Sequence, residues 1–395
     1  MDIIETGNIY QKCFIRLISL GFDATRAHSI AAAQVTLKRG CAELIQYKQR
    51  PHEECSTLNI GITAAHDEIL IHDDIMLPEW REFTDELSSI PTSEKEHINL
   101  TFKQVQIDQK VAKLLLHAFK TAPLKILALR ENGLGSEGIE FAVNALEMST
   151  TLACLSIYDN VIEAKNDAIS LVRAVRNHPK LVALYLNNCG LGRNESVLEA
   201  LVPLLDTGLG WVCLESNEIG SHGASLISNC LASNPDKMVR LHLDDNLLND
   251  DDAKMFAASM GTNDKLQALQ LSGNHITQVG RDALHLAVNN LSSLNALHDS
   301  NHTCSFQVGE EDNCQLSVIN LCRDPELNRK IKILKALKDI KYLEDVPIGI
   351  MPRVLAFLQG IGEVDGTKYN GVDQLFQVMC GWNMPLLYTL TCLDH

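Results

Sequence analysis

The chain has 395 residues and a formal net charge of −16, with 46% hydrophobic but only 5% aromatic residues. Aliphatic side chains must therefore fill its interior. Such an acidic surface repels nucleic acid and anionic lipid and speeds encounter with a basic partner, and the alternative is that the charge simply keeps the protein in solution. Because of this charge, we expect no nucleic-acid binding. No segment approaches the about 20 apolar residues that cross a bilayer, so we also expect no membrane insertion.

The cysteines and the first residues indicate the compartment. The 12 cysteines are irregularly spaced and include no CxxC pair, which is typical of reduced thiols in a cytosolic or nuclear protein. Residues 1–21 contain Asp2 and Glu5 and lack the long apolar run of a signal peptide. We therefore expect a cytoplasmic monomer, with a nuclear location as the alternative.

Residues 1–75 form the first predicted segment, which we expect to be helical. Within it, Leu20, Gly21 and Phe22 with Ala27 and Ala31 resemble the opening of a ubiquitin-associated three-helix module. The resemblance implies a ubiquitin-linked adaptor that acts through residues 9–45. The alternative is a small helical cap without a separate function.

Residues 76–96 place Trp80, Phe83 and Leu87 at helical spacing. This pattern predicts an N-terminal capping helix, because the repeats that follow would otherwise leave an apolar end exposed to water.

Residues 97–305 contain a recurring pattern, Leu-x-x-Leu-x-Leu-x-x-Asn-x-Leu/Ile, followed by a helical stretch. The strong copies open at Leu124, Leu152, Leu181, Leu209, Met238, Leu266 and Leu294. Their intervals are 28 or 29 residues, within the range of leucine-rich repeats. A weaker copy opens at His97, which brings the array to seven or eight repeats.

Each repeat combines a strand, a turn and a helix. The leucines at positions four and six alternate with outward residues, as in a short strand. The ninth position can hydrogen-bond buried backbone groups of the turn. It is occupied by Asn132, Asn160, Cys189, Asn217, Asn246 and Asn274. The predicted fold is α/β, a curved leucine-rich-repeat solenoid with parallel strands on its concave face, helices on its convex face, and helical caps at both ends.

Units of this length, with Asn or Cys at the ninth position and a helix in every repeat, resemble the ribonuclease-inhibitor-like subfamily. That subfamily includes intracellular immune receptors and Ran GTPase-activating proteins. The resemblance covers residues 97–305 and implies a non-catalytic scaffold that binds proteins. Its alternative implication is a regulator of a small GTPase, although no long acidic tail follows the repeats as in the Ran activators.

Residues 306–395 are predicted to form a helical C-terminal cap. The segment PELNRKIKILKALKDIK is predicted to form an amphipathic helix with a solvated basic face. That face comprises Arg329, Lys330, Lys332, Lys335 and Lys338. The tail, from LHDSNHTC to GWNMPLLY, resembles the endings of uncharacterised protist leucine-rich-repeat proteins.

Neither catalysis nor a cofactor is predicted. The GxGxxG at Gly133 to Gly138 resembles a dinucleotide-binding loop, but it falls on turn positions that the next repeat fills with VIEAKN. HExxH, P-loop and GxSxG motifs are absent from the sequence. His298, His302, Cys304 and Cys314 are a weak zinc candidate, because their spacing matches no common zinc module.

The predicted binding site lies on the strands. Tyr158, Tyr185 and Trp211 occupy positions seven, five and three of successive repeats, which places them on a diagonal across the concave face. Exposed aromatic residues are frequent hot spots of protein interfaces. Around them are Arg130, Glu131, Asp159, Glu215, Arg240, His242, Asp244 and Asp245. We expect this surface to bind a protein, unless the aromatics cover one another or are covered by the terminal segments.

Overall fold

The computed structural model describes residues 3–49, 56–63, 73–90, 96–309, 320 and 324–338. The strands are β1 (Ser56–Thr63), β2 (Glu96–Lys103), β3 (Leu124–Arg130), β4 (Cys154–Tyr158), β5 (Ala183–Tyr185), β6 (Trp211–Cys213), β7 (Arg240–His242), β8 (Ala268–Gln270) and β9 (Ser305–Gln307). The helices are α1 (Ile3–Ser19), α2 (Ala24–Lys48), α3 (Leu77–Ser88), α4 (Gln109–Phe119), α5 (Ser136–Met148), α6 (Lys165–Asn177), α7 (Glu195–Leu201), α8 (Ser221–Ala232), α9 (Asp250–Ser259), α10 (Gln278–Val288), α11 (Leu294–Asp299) and α12 (Pro325–Lys338). Short 3-10 helices lie at Asp74–Met76, Leu191–Arg193 and Val202–Asp206.

The nine strands form one open sheet in sequence order, and every neighbouring pair is parallel. Parallel neighbours need a crossover connection, which a helix supplies between successive strands. From α3 to α10 each helix packs against the next. The predicted α/β solenoid of parallel strands and stacked helices is therefore confirmed. We call the side of the sheet away from the helices the open face.

The period of two along each strand separates the core from the open face. One row of apolar residues runs in register across β3 to β9, and all of its members are buried. The row consists of Leu127, Leu155, Leu184, Val212, Leu241, Leu269 and Phe306. The residues before and after each member point the other way, so they line the open face.

The turns after β3 to β8 use a left-handed residue followed by a buried or half-buried Asn or Cys side chain that bonds backbone groups. After β2, Val105 takes that place. Residues with positive φ occur at Gln104, Glu131, Asp159, Asn188, Ser216, Asp245 and Gly273. Directly after one of them, Asn217 donates to the carbonyl of Leu186 and accepts from the N–H of Cys189, at 2.7 and 2.8 Å. Its amide therefore connects its own turn to the preceding repeat.

The N-terminal region differs from its prediction. Strand β1 lies within the segment expected to be helical, and it extends the sheet beyond β2. Its Ile60 and Ile62 are buried, but STLNIGIT carries neither the leucine pattern nor the ladder asparagine that would reveal a repeat. Helix α3 does contain the predicted buried Trp80, Phe83 and Leu87, and α2 packs against it.

Residues 9–45 do not form three helices. Helix α2 continues through 25 residues without a break, and it pairs with α1. Its start is fixed by Asp23, whose side chain accepts from the N–H of Arg26. Ala27 and Ala31 are buried in this arrangement. Because a ubiquitin-associated module has three helices and this segment has two, the resemblance was wrong as a guide to its structure.

The C-terminal end of the array also departs from the leucine spacing. Residues from Leu294 onward form α11, which the Ser293 side chain caps, and the ninth strand follows at Ser305. Phe306 within this strand and Val308 just after it are buried. The predicted solvated basic face of α12 is wrong for Lys332, which is buried and donates to the carbonyls of Val288 and Asn301. The predicted tail beyond residue 338 lies outside the described residues.

Candidate functional site

The centre of the open face is a group of three rings on β5, β6 and β7. The ring centroids of Tyr185 and Trp211 are 5.7 Å apart, and those of Trp211 and His242 are 5.3 Å apart. The guanidinium carbon of Arg240 lies 5.0 Å from the centroid of the Trp211 ring. Aromatic pairs and a cation over an indole both stabilise such a group, by about 0.5 to 1.5 kcal/mol each. We call these four residues the aromatic centre.

Strand register explains why they meet. Tyr185 pairs with Cys213, and Cys213 with His242, so these three occupy one row of the open face. Trp211 and Arg240 occupy the adjacent row, two residues earlier. Neighbouring positions in a parallel sheet are about 4.8 Å apart, which brings large side chains of both rows into contact.

Burial alters the chemistry of two groups in this row. Burial, with Cys154 nearby, raises the pKa of the Tyr185 hydroxyl to about 12. Burial and the charge of Glu215 likewise raise the pKa of the Cys213 thiol to about 12. Tyr185 is therefore a neutral hydrogen-bonding group at pH 7 rather than an anion.

Glu215 is held by two neighbours at the edge of the aromatic centre. Its Oε1 lies 3.3 Å from Nδ1 of His242, and its Oε2 accepts from Nδ2 of Asn187 at 2.9 Å. The thiol of Cys213, the Glu215 carboxylate and the His242 imidazole offer ligand atoms that all lie within 4.8 Å of one another. Leucine-pattern reasoning overlooked Cys213 and Asn187, although both occupy outward positions of their repeats.

The predicted acidic residues have different partners. Glu131 pairs with Lys103 at 3.0 Å, and Asp159 accepts from the side chain of Asn188. Asp244 accepts from the N–H of Ser272 at 2.8 Å, and burial raises the pKa of its carboxyl. Asp245 is exposed. Part of the predicted negative rim is thus balanced within the protein.

The structure does not extend the ring contacts to Tyr158. This residue ends β4, is 38% exposed, and pairs in register with Arg130 of β3. Among the described aromatic residues, the ring contact of Tyr185 is with Trp211. The row of contacts therefore runs from Tyr185 toward His242, and Tyr158 with Arg130 forms a separate exposed pair.

The weak zinc candidate near the end of the array is not assembled by its described residues. Cys304 is fully buried, and burial raises the pKa of its thiol. His302 uses Nε2 toward the carbonyl of His298 and Nδ1 toward Lys332. His298 faces Asp299 at 3.0 Å, and Cys314 lies outside the described residues. Because these side chains have other partners, the described part of the cluster does not support a metal centre.

The comparisons with known proteins address the fold. A family model described as "Leucine Rich repeat" matches residues 262–284, which begin after α9 and run through β8 into α10. The described residues have the fold of a leucine-rich-repeat solenoid. Among the helices that the structure describes, none combines the length and apolarity needed to cross a membrane.

Two solved structures are similar to this solenoid. One is titled as actin-binding site 2 of leiomodin-1, with 11% identity, a TM-score of 0.25, and coverage of 57% of this chain and 96% of that one. The other is an internalin from Listeria monocytogenes, with 16% identity, a TM-score of 0.27, and coverage of 63% and 92%. A comparison with curated protein sequences finds no significant match.

Proposed function

We propose that the protein is a non-catalytic interaction scaffold that binds a protein partner on the open face of its sheet. The observation that carries the proposal is the aromatic centre, Tyr185, Trp211, His242 and Arg240, on a face that the stacked helices leave uncovered. Large aromatic residues and arginine are the side chains most often found as interface hot spots. Solenoids of stacked repeats present extended surfaces that suit the binding of other proteins.

The partner would combine an apolar contact with a basic patch. Trp211 and Tyr185 are half-buried, so the sheet already orders their rings and little rotamer entropy is lost on binding. Asp244 and Asp245 follow β7 after Leu243, and Asp244 interacts electrostatically with His242 of the aromatic centre. With a net charge of −16 on the chain, these acids would attract a basic protein and orient it.

The test compares captured proteins among three forms of the full chain. The face variant carries Tyr185→Ala, Trp211→Ala and Arg240→Ala. The control variant carries Ile169→Ala, Arg173→Ala and Leu286→Ala, which are exposed residues of α6 and α10 on the helical side.

We expect the wild type and the control variant to capture the same proteins, and the face variant to lose them. Raising the salt concentration should weaken capture, because screening reduces the attraction of a basic partner. Capture of the same proteins by the face variant, at wild-type strength, would contradict the proposal. Loss of capture in the control variant instead would place the interface on the helices.

A further inference from the structure

We propose that Cys213, Glu215 and His242 form a zinc-binding site on the open face. The inference concerns these three side chains and does not depend on any protein partner. A thiol, an imidazole and a carboxylate are the three ligand types that zinc uses in proteins. A sulfur ligand disfavours calcium and magnesium, which take oxygen ligands.

The backbone brings the three ligands together. Cys213 and His242 are register partners on the neighbouring strands β6 and β7. Glu215 lies in the turn after β6, two residues beyond Cys213, and its Oε1 faces Nδ1 of His242. Val212 and Leu241 are register partners within the buried row beneath the site. Two of the three ligands therefore project from strands that the core holds in place, which favours a preorganised site.

The distances are close to those that zinc requires. A tetrahedral zinc with bonds of about 2.0 to 2.3 Å places its ligand atoms about 3.3 to 3.8 Å apart. The Nδ1 atom of His242 and the Oε1 atom of Glu215 are already 3.3 Å apart. All three ligand atoms lie within 4.8 Å of one another, so the Cys213 sulfur needs to move by at most about 1 Å.

The surroundings support the ligands. Asn187 holds the second carboxylate oxygen of Glu215 at 2.9 Å, which leaves Oε1 directed at the imidazole. Such outer hydrogen bonds orient ligands, and their loss typically weakens metal binding about 10- to 100-fold. The Trp211 ring packs beside His242 and restricts its position. The Glu215 side chain is 34% exposed, whereas Cys213 and His242 are buried, so an ion would enter the site past Glu215.

Binding is chemically balanced. The Cys213 thiol loses its proton to solvent as the zinc–sulfur bond forms, and the thiolate and the carboxylate together neutralise the ion. Three protein ligands leave a fourth position for water.

The preceding repeat does not reproduce the ligand set. The positions of Cys213, Glu215 and His242 correspond one repeat earlier to Tyr185, Asn187 and Cys213.

The alternative interpretation of this contact is a hydrogen bond between His242 and Glu215 without a metal. The two interpretations differ in the role of the thiol, since only a metal site requires Cys213. A cobalt probe reports this difference directly, because a thiolate bound to Co²⁺ gives a charge-transfer absorption that nitrogen and oxygen ligands alone do not give.

The experiment uses the purified full chain, freed of metal with a chelator and titrated with Zn²⁺ and, separately, with Co²⁺. The variants are Cys213→Ser, His242→Gln and Glu215→Gln. Cys154→Ser is the matched control, since Cys154 is a half-buried thiol of the same open face, on β4. Glu215→Gln also guards against misfolding, because an amide can still hydrogen-bond to His242 and Asn187.

We expect one zinc per wild-type chain at this site, and affinity lowered at least about tenfold in each of the three ligand variants. The cobalt charge-transfer band should disappear in Cys213→Ser and persist in Cys154→Ser. The proposal is overturned if the wild type binds no zinc, or if Cys213→Ser and Glu215→Gln bind it as the wild type does. Persistence of the band in Cys213→Ser would also overturn it, because another cysteine would then be the ligand.

Discussion

Replacing Asn246 by alanine tests how the repeats are joined. Asn246 is 2% exposed, and its Oδ1 accepts from the N–H groups of Asn217 and Ile219 at 3.1 and 2.9 Å. Its Nδ2 donates to the carbonyls of Leu214, Leu243 and Asp244, each at 3.0 Å. One side chain therefore satisfies five backbone groups of two adjacent turns.

The expected loss follows from the two donors left buried. A buried N–H without a partner costs about 1 to 3 kcal/mol, and two of them give about 2 to 6 kcal/mol before relaxation. Entry of a water molecule into the vacated space would offset part of this cost. We therefore expect Asn246→Ala to lower the free energy of unfolding by about 3 kcal/mol, a large effect for one residue.

Two further variants set the scale. Cys189 occupies the equivalent position, but its thiol only donates, to the carbonyls of Ile157 and Asn187, so Cys189→Ala should cost about 1 kcal/mol. Asn177→Ala changes an exposed residue of α6 and should stay within about 0.5 kcal/mol of the wild type.

The assay is urea unfolding followed by far-ultraviolet circular dichroism, with the slope of the transition checked in each variant. Intrinsic tryptophan fluorescence, to which Trp211 contributes together with the other two tryptophans of the chain, gives a second probe. A loss below 1 kcal/mol for Asn246→Ala, or a loss smaller than that of Cys189→Ala, would refute the explanation based on buried donors.

Three other substitutions give separate tests. Gly192→Ala should destabilise the protein by about 1 to 3 kcal/mol, because its Cβ would lie 2.1 Å from the carbonyl oxygen of Glu218. Gly135→Ala is the control: a Cβ there meets open space, so thermal melts should show no change in stability. Asn249→Ala should cost about 1 kcal/mol of unfolding free energy, since Asn249 closes a capping box at the start of α9. Burial lowers the pKa of His302 to about 4, so the unfolded chain takes up a proton between pH 6.5 and 4 that the folded chain does not. As the pH falls through that window, the free energy of unfolding should drop by about 1 to 2 kcal/mol, allowing for the partial exposure of the ring. Urea titrations at pH 7 and pH 4.5 should show a smaller drop for His302→Gln than for the wild type. An equal drop in both proteins would contradict this assignment.

The leucine spacing predicted the central repeats because it reflects two local requirements. Leu127 and Leu155 must alternate with outward residues for a strand to bury one face, and Asn132 and Asn160 must satisfy the turns between strand and helix. Both requirements recur in the repeats from β3 to β8, so there the sequence alone predicts register as well as fold.

The ends of the array were harder to predict, because a terminal repeat is not constrained by neighbours on both sides. Strand β1 lacks the asparagine, although it pairs with β2 and helix α2 packs against it. Conversely, the residues after Leu294 keep the leucine spacing but form a helix, since the Ser293 cap favours one and Asp299 cannot serve as a core residue.

In the candidate site, the sequence and the tertiary structure determine different features. By itself the sequence determined which residues line the open face, since outward positions follow from the period of two. Only the tertiary structure decided which of them touch: Trp211 meets Tyr185 and His242, Tyr158 stays apart, and Cys213 joins Glu215 and His242. These contacts depend on rotamers and on the geometry between repeats 28 or 29 residues apart, which no spacing along the chain records.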